Sequence, residues 1–444
     1  GGTATLAGWI DFDRDGIFQS DEGVTITINN NGTSGVLTWN NIGGSGPNII
    51  AGATYARFRI TRSVNGMTTS TPSGSFVDGE VEDYLISIQP SIISGTVFED
   101  VNYGGGAGRN LTASSGVVRS GVRVELYNSA GTFSTFTTTN ASGLYTFSSL
   151  AAGSYTVRVV NSGVKSSRTG TSTEIGTQTF RTNASTGTAV DVTDHVGGEV
   201  PTKVDSGNGS TTLAALTTAS LTPQSITAVT LSTSDITGVD FGYNFDTIVN
   251  TNDCSGTVPC QGSLRQFITN SNLLSNSGLS QVGQTPGKEV SIFMIPNGVA
   301  NPGHNTTYAN QLNSYGAASI TLSADLSVTV SDTTVDGSTQ TDNVTTAGGG
   351  ETNPGRVGTA FFVGVSQTVL PKFSNPEVEL VSGATDRVLA GTNTATNFTV
   401  KNLAFAKSRV RTLGNFSLVE DNLVGMNADG TETLSAAGQS GTSS

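Results

Sequence analysis

Lysine is nearly missing from this chain: the first stands at position 165, and only Lys203, Lys288, Lys372, Lys401 and Lys407 follow. The arginines are scattered singly, so there is no basic patch to hold a phosphate backbone, and the formal net charge is −13. Nucleic acid is therefore not an expected partner. Histidine and cysteine number two each, the histidines lie in loop-like contexts far from each other and from Cys254 in sequence, and no G-x-S-x-G, H-E-x-x-H or G-x-x-x-x-G-K-[ST] motif occurs. No apolar run approaches the ~18 residues of a membrane span, and neither a secretory leader nor a sorting motif is present. Because both ends begin and stop abruptly, the chain is expected to be a processed or partial segment whose anchor lies outside it.

The abundant residues are Gly, at 56, and Thr, Ser, Asn and Val, while charged residues make up only 12%. That mixture favours strands and turns over helices. A length of 444 residues fits about three domains of roughly 150 residues. Residues 1–89 alternate strand-like stretches such as Gly23–Ile28 and Tyr55–Ile60 with Asn/Gly/Ser turns, and Gln89-Pro90 marks a junction. Residues 90–246 read as an antiparallel sandwich running through Ile93–Phe98, Val122–Tyr127, Gly143–Phe147 and Tyr155–Val160. A long Ser/Thr/Gly-rich insertion follows at about 161–234, and Ile236–Tyr243 completes the sheet. From 247 to 444 short apolar steps recur between Asn, Asp and Gly, with Leu403 and Leu423 in similar settings, the spacing of solenoid coils. Gly262–Ile268 reads as a short helix capping that stack. The fold class is all-β: sandwich modules followed by a right-handed parallel β-helix.

The clearest chemical site is Asp11–Glu22, where Asp11, Asp13 and Asp15 occupy positions 1, 3 and 5 of a Ca²⁺ loop, Gly16 position 6 and Glu22 position 12. A hard cation needs six to eight oxygens; three come from alternating carboxylates, one from the Ile17 carbonyl and two from Glu22, while Gly16 permits the bend. The flanks look like strands, so the ion would be structural. The surrounding module carries nine acids and four bases, which an ion would relieve. A weaker calcium turn is conceivable at Glu99, Asp100 and Asn102, the alternative being a hairpin turn.

Cys254 and Cys260 lie six positions apart in a turn-rich segment and read as a local disulfide, with free thiols as the alternative. A disulfide implies an oxidising, extracytoplasmic setting. His195 and His304, far apart in sequence, read as surface or turn residues. Asp332, Asp336 and Asp342 could form a carboxylate cluster for sugar cleavage, but such residues more often cap turns, so no enzyme is expected. Nine Asn-x-Ser/Thr sequons are what chance supplies in this composition.

Gly8–Gly16 together with Gly79-Glu-Val-Glu-Asp-Tyr84 resembles the GEVED domain of large secreted bacterial proteins. Ser94–Asp100, Gly143–Phe147, Leu150–Val157 and Val239–Tyr243 resemble the prealbumin-like B-type repeat of staphylococcal adhesins, which implies a stalk. Some of those relatives carry a Lys–Asn isopeptide bond from a first-strand lysine; here that strand has none, so no such crosslink is expected. Thr251–Cys254, Gln261–Ile268, Ile320–Leu322 and Val335–Gln340 resemble the opening of parallel β-helix domains, which include polysaccharide lyases and noncatalytic adhesins. The stack breaks off after Gly430 in mid-coil, so further chain or another subunit is expected to cap it. Together these readings imply a calcium-stabilised structural or adhesive protein of the bacterial cell surface, its partner an extracellular polymer or copies of itself in a fibre. A polysaccharide-binding or polysaccharide-cleaving protein is the alternative.

Overall fold

A computed structural model describes residues 2–39, 47, 49–88, 91–168, 173–232, 234–254, 261–344, 351–357, 362–363, 368–369, 373–383 and 386–431. Among these, strands predominate and the longest helix is Leu264–Ser271.

The first module is one antiparallel sheet of β1 (Ala4–Ile10), β2 (Gly23–Ile28), β3 (Gly52–Arg62) and β4 (Glu80–Ile88), in the order β2-β1-β3-β4. The period of two in β1 turns Ala7 and Trp9 to one face, where both are fully buried with Met67 against Phe18 and Phe76. The Trp9 indole donates to the Thr69 carbonyl at 2.8 Å, so burying it leaves no orphaned donor. Gly79, the first residue of the pentapeptide, has φ +111° and lies so close to the Ile60 carbonyl that a Cβ would sit 2.0 Å from its oxygen. Only glycine fits there. Asp83, its last residue, stands opposite Arg57 across the β3–β4 ladder and takes both guanidinium bonds at 2.7 Å.

The second module is a sandwich of two sheets. In one, Ser225–Leu231, Gly153–Val159, Arg123–Asn128 and Phe133–Thr138 lie side by side; in the other, Val190–Val192, Thr177–Asn183, Phe241–Asn244, β5 (Ser91–Glu99) and Val117–Val118. Between them Ile93, Val97, Val124, Leu126, Tyr145, Val157, Val229 and Phe241 are buried. Phe241–Asn244 joins this sheet between Thr177–Asn183 and β5, and its pairing with β5 is parallel, unlike the antiparallel arrangement expected from the sequence. Residues 161–234, however, are no mere insertion. They supply Thr177–Asn183, Val190–Val192 and Ser225–Leu231, three strands of the sandwich itself. Their Thr/Ser content hid this, because threonine is at home in strands and in turns alike.

Most of the strands after residue 246 form three parallel ladders around one apolar column, while Arg356–Val357 with Phe373–Ser374 and Phe362–Val363 with Thr368–Val369 pair antiparallel beside them. Glu289–Val290, Thr333–Asp336, Thr399–Lys401 and Leu418–Glu420 make the first; Ala318–Leu322, Val378–Ser382, Leu403–Ala406 and Leu423–Val424 the second; Leu326–Val328, Arg387–Gly391 and Ser408–Thr412 the third. Ile320, Leu380 and Phe405 occupy successive rungs of one row, all with no solvent exposure. Leu423 pairs with Ala404, one position off the Leu403 of the expected repeat. The corners at Asp332, Asn397, Asn402 and Asp421 adopt the left-handed conformation that Asn and Asp tolerate best. Helix Leu264–Ser271, capped by the Ser263 side chain, buries Leu264, Phe267 and Ile268 in the column, as a cap over its first coil should.

Candidate functional site

The acidic loop begins where β1 ends. Asp11 N–H donates to the Tyr55 carbonyl at 3.1 Å and the Thr54 hydroxyl to the Asp11 carbonyl at 2.6 Å, pinning the first residue of the loop to β3. The turn then tightens through its own side chains: Asp13 accepts from Asp15 N–H at 3.2 Å, Asp11 from Gly16 N–H at 3.3 Å and Asp15 from Ile17 N–H at 2.7 Å. Arg14 and Gly16 take positive φ, +59° and +83°. As a result Asp11, Asp13 and Asp15 each present an oxygen within 4.8 Å of the other two. Asp11 is only 4% exposed, and its second oxygen, Oδ1, is buried with no hydrogen-bond partner. A buried carboxylate oxygen left unpaired is costly unless a cation or proton meets it.

Glu22 lies behind the turn, fully buried, its two oxygens accepting from Phe12 N–H at 2.6 Å and Gln19 N–H at 3.1 Å. Burial raises its carboxyl above the usual range, against the pull of those backbone donors. It thus ties the two ends of the loop together, and each oxygen keeps a lone pair beyond its N–H bond. Ile17 holds its side chain out to solvent.

The other acids singled out are spent on structure. Glu99 accepts from the Ser166 hydroxyl at 2.6 Å, Asp100 pairs with Arg109, and Asn102 accepts from Ser280 N–H at 2.7 Å, so all three side chains are engaged within the chain. Asp332 caps a corner and accepts from Asn397 at 2.9 Å. Asp336 accepts from Ser338 and Asn402 and pairs with Lys401 at 3.1 Å, while Asp342, at an exposed position, has its carboxyl raised first by partial desolvation and then by the Asp336 charge. Cys260 lies outside the described residues, and with it the expected Cys254–Cys260 bond.

Two features of the joint between sandwich and ladder had no local signal. Arg168, 5% exposed at its side chain, bridges Asp246 at 2.6 Å and Glu289 at 2.6 Å. Burial lifts the Asp246 carboxyl well above its usual range despite that partner. Nearby, His195 and His304 are not surface residues apart: their backbones form an antiparallel bridge, Asn305 bonds His195 at 3.2 Å, and both rings stack edge-on against Tyr308. His304 is 1% exposed, and burial drives its imidazole down to about 4 despite a weak pull from the Met294 backbone.

Comparison with known protein families matches two stretches of the chain. Residues 5–87 match the GEVED domain. Residues 92–208 match the SdrD B-like domain. The GEVED match thus contains the whole acidic loop, and the SdrD B-like match ends before the sandwich does, short of Ser225–Leu231 and Phe241–Asn244. No curated protein matches. Among solved structures, a minor pilin of Streptococcus agalactiae is 12% identical, with 58% of this chain and 86% of that one covered at a TM-score of 0.19. BcpA, the major pilin subunit of Bacillus cereus, is 9% identical over 54% of this chain and 59% of its own, TM-score 0.18. A variant of the shaft pilin SpaA of Lactobacillus rhamnosus GG gives 12%, 58%, 86% and 0.16. Overlap this low carries no argument about the whole chain. No helix among the described residues is long and apolar enough to cross a membrane.

Proposed function

We propose that this chain is a non-catalytic structural or adhesive segment of a bacterial extracellular surface protein, stiffened by calcium in its first module. Its parts are a GEVED-like module over 1–89, an adhesin B-type sandwich over 90–246 and a right-handed parallel β-helix over 247–444. The observation that carries the reading is the joint: Arg168 is sunk between Asp246 and Glu289, which fits a rod that transmits force better than a hinged enzyme. The two domain matches support the same view, and Asp332 and Asp336 are engaged in turns, unlike the free carboxylate pair that sugar cleavage needs. Partners are an extracellular polymer or further copies of the chain. In support of the latter, β4 pairs only with β3 among the described residues, leaving an edge with Val81 and Leu85 exposed.

Calcium belongs at Asp11, Asp13 and Asp15, where the unpaired Asp11 Oδ1 asks for a cation. The Ile17 carbonyl is a further oxygen for the ion, whereas Glu22 stands outside the three-carboxylate cluster with both oxygens on backbone N–H groups, so it joins the set only if the loop tightens around the ion. Both tryptophans, Trp9 and Trp39, lie in this module, so tryptophan fluorescence reports on it alone. With free calcium at about a hundred times Kd, the module gains roughly 2.7 kcal/mol. Its fluorescence melting transition should fall on addition of chelator in the wild type and stay put in Asp11→Asn; an unchanged wild-type transition would sink the calcium reading. Electron microscopy and sedimentation with calcium present separate a lone rod from a polymer. The Cys254–Cys260 bond is checked by thiol alkylation without reductant, which should label neither residue.

A further inference from the structure

A cleft opens among the parallel ladders. It lies beside the second ladder, about 710 Å³ in volume, a size suited to a small ligand. Its lining is rich in amides: Asn297, Asn310, Asn313, Asn353 and Asn375, together with Tyr315. Among the described residues no lysine or arginine lines it, and Glu351 and Asp429 stand at its edge. Glu351 is balanced by Arg356 at 2.6 Å. An anionic ligand such as a phosphate or uronate would therefore meet no cation on the walls, and a lipid would meet too little apolar surface.

The amides are held in place. Asn353, buried, donates to the carbonyls of Pro376 and Ala428 at 2.9 Å each, and its backbone N–H is held by Glu377 at 3.0 Å. Tyr315 donates to Glu379, which also accepts from Asn313 at 3.2 Å, so ring and amide are fixed from behind. Asn375 is the exception: it is 9% exposed, donates to Asn353 at 3.4 Å, and its Oδ1 is buried with no partner. Such an unmet acceptor costs stability unless a donor reaches it. An amide-rich wall of paired donors and acceptors beside an aromatic ring, with no cation on it, is the complement of a sugar, whose hydroxyls both give and accept hydrogen bonds and whose C–H face packs on a ring.

We propose that this cleft binds an uncharged glycan, with Asn375 Oδ1 accepting from a sugar hydroxyl and Tyr315 presenting its ring. The proposal deepens the adhesive reading by naming its ligand class and rests on that reading only for its biological meaning. Calorimetric titration of the full chain with gluco- and N-acetylglucosamine hexasaccharides tests it, with oligogalacturonate as the acidic arm. At least one neutral hexasaccharide should bind and oligogalacturonate should not. Asn375→Ala should weaken binding about tenfold, as the loss of one buried hydrogen bond implies. Ser314→Trp, which fills the mouth from an exposed rim position, should abolish it while leaving the thermal unfolding curve unchanged. No binding by either neutral sugar, binding indifferent to both variants, or a preference for the acidic sugar would each overturn the assignment. If the hexasaccharides fail while the chain still adheres to protein-coated surfaces, the cleft proposal falls and the adhesive reading stands.

Discussion

His304 offers the sharpest quantitative test of the joint, because a neutral imidazole has been buried where sandwich meets ladder. Its ordinary value of 6.5 falls to about 4 in the folded chain. Below pH 6.5 the unfolded chain takes up a proton that the folded chain refuses, so stability drops as pH falls and levels off below pH 4. At 1.36 kcal/mol per pH unit of difference, the full loss is about 3 kcal/mol, of which about 2 kcal/mol is reached by pH 5. Asp205 works the other way: burial lifts its carboxyl to about 6 against the nearby Arg158, so the folded chain holds a proton the unfolded chain has lost, and its contribution grows as pH falls from 6 to 3.8. The two partly cancel in the wild type. Denaturant unfolding of the wild type and of His304→Gln at pH 7, 6 and 5 separates them, since the difference between the two proteins contains the His304 effect alone. That difference should shift by about 2 kcal/mol in the variant's favour between pH 7 and pH 5. A difference that stays flat, or an NMR titration placing the His304 ring near 6.5, would refute the burial argument. Only two histidines are present, so the ring signals are readily assigned.

Arg168→Met should destabilise the joint by about 3–5 kcal/mol, because it strands Asp246 and Glu289 in the interior. Adding Asp246→Asn and Glu289→Gln should recover much of that loss in the same denaturant measurement. Phe405→Ala opens a cavity in the ladder's central row and should cost about 3–5 kcal/mol, read as a lower unfolding midpoint, with the tryptophan-reported transition of the first module unmoved. Since β5 carries no lysine, the intact mass should show no loss of ammonia; such a loss would reveal an isopeptide bond.

The degree to which the chain could be read in advance varies with the span of the contacts involved. The acidic loop was legible because its carboxylates lie within twelve residues, and the alternation of side chains in a tight turn brings them together with little help from elsewhere. The strands of the first module were legible through their period of two. The region 161–234 was not, since Thr-rich stretches such as Thr177–Asn183 read equally as strand or loop until a neighbouring strand supplies the hydrogen bonds. The partners of Glu99 and Asp336 were not legible, because Ser166 and Lys401, which engage them, come from distant parts of the chain.

By itself the sequence determined the all-β character and the cluster of acids at Asp11–Asp15, both consequences of side-chain preference and short-range geometry. Only the tertiary structure decided that His195 meets His304, that Arg168 joins Asp246 to Glu289, and that five asparagines share one cleft. Those pairings depend on which surfaces exclude water from each other, and that choice belongs to packing between segments distant in the chain, as Arg168 is from Asp246 by 78 residues and from Glu289 by 121.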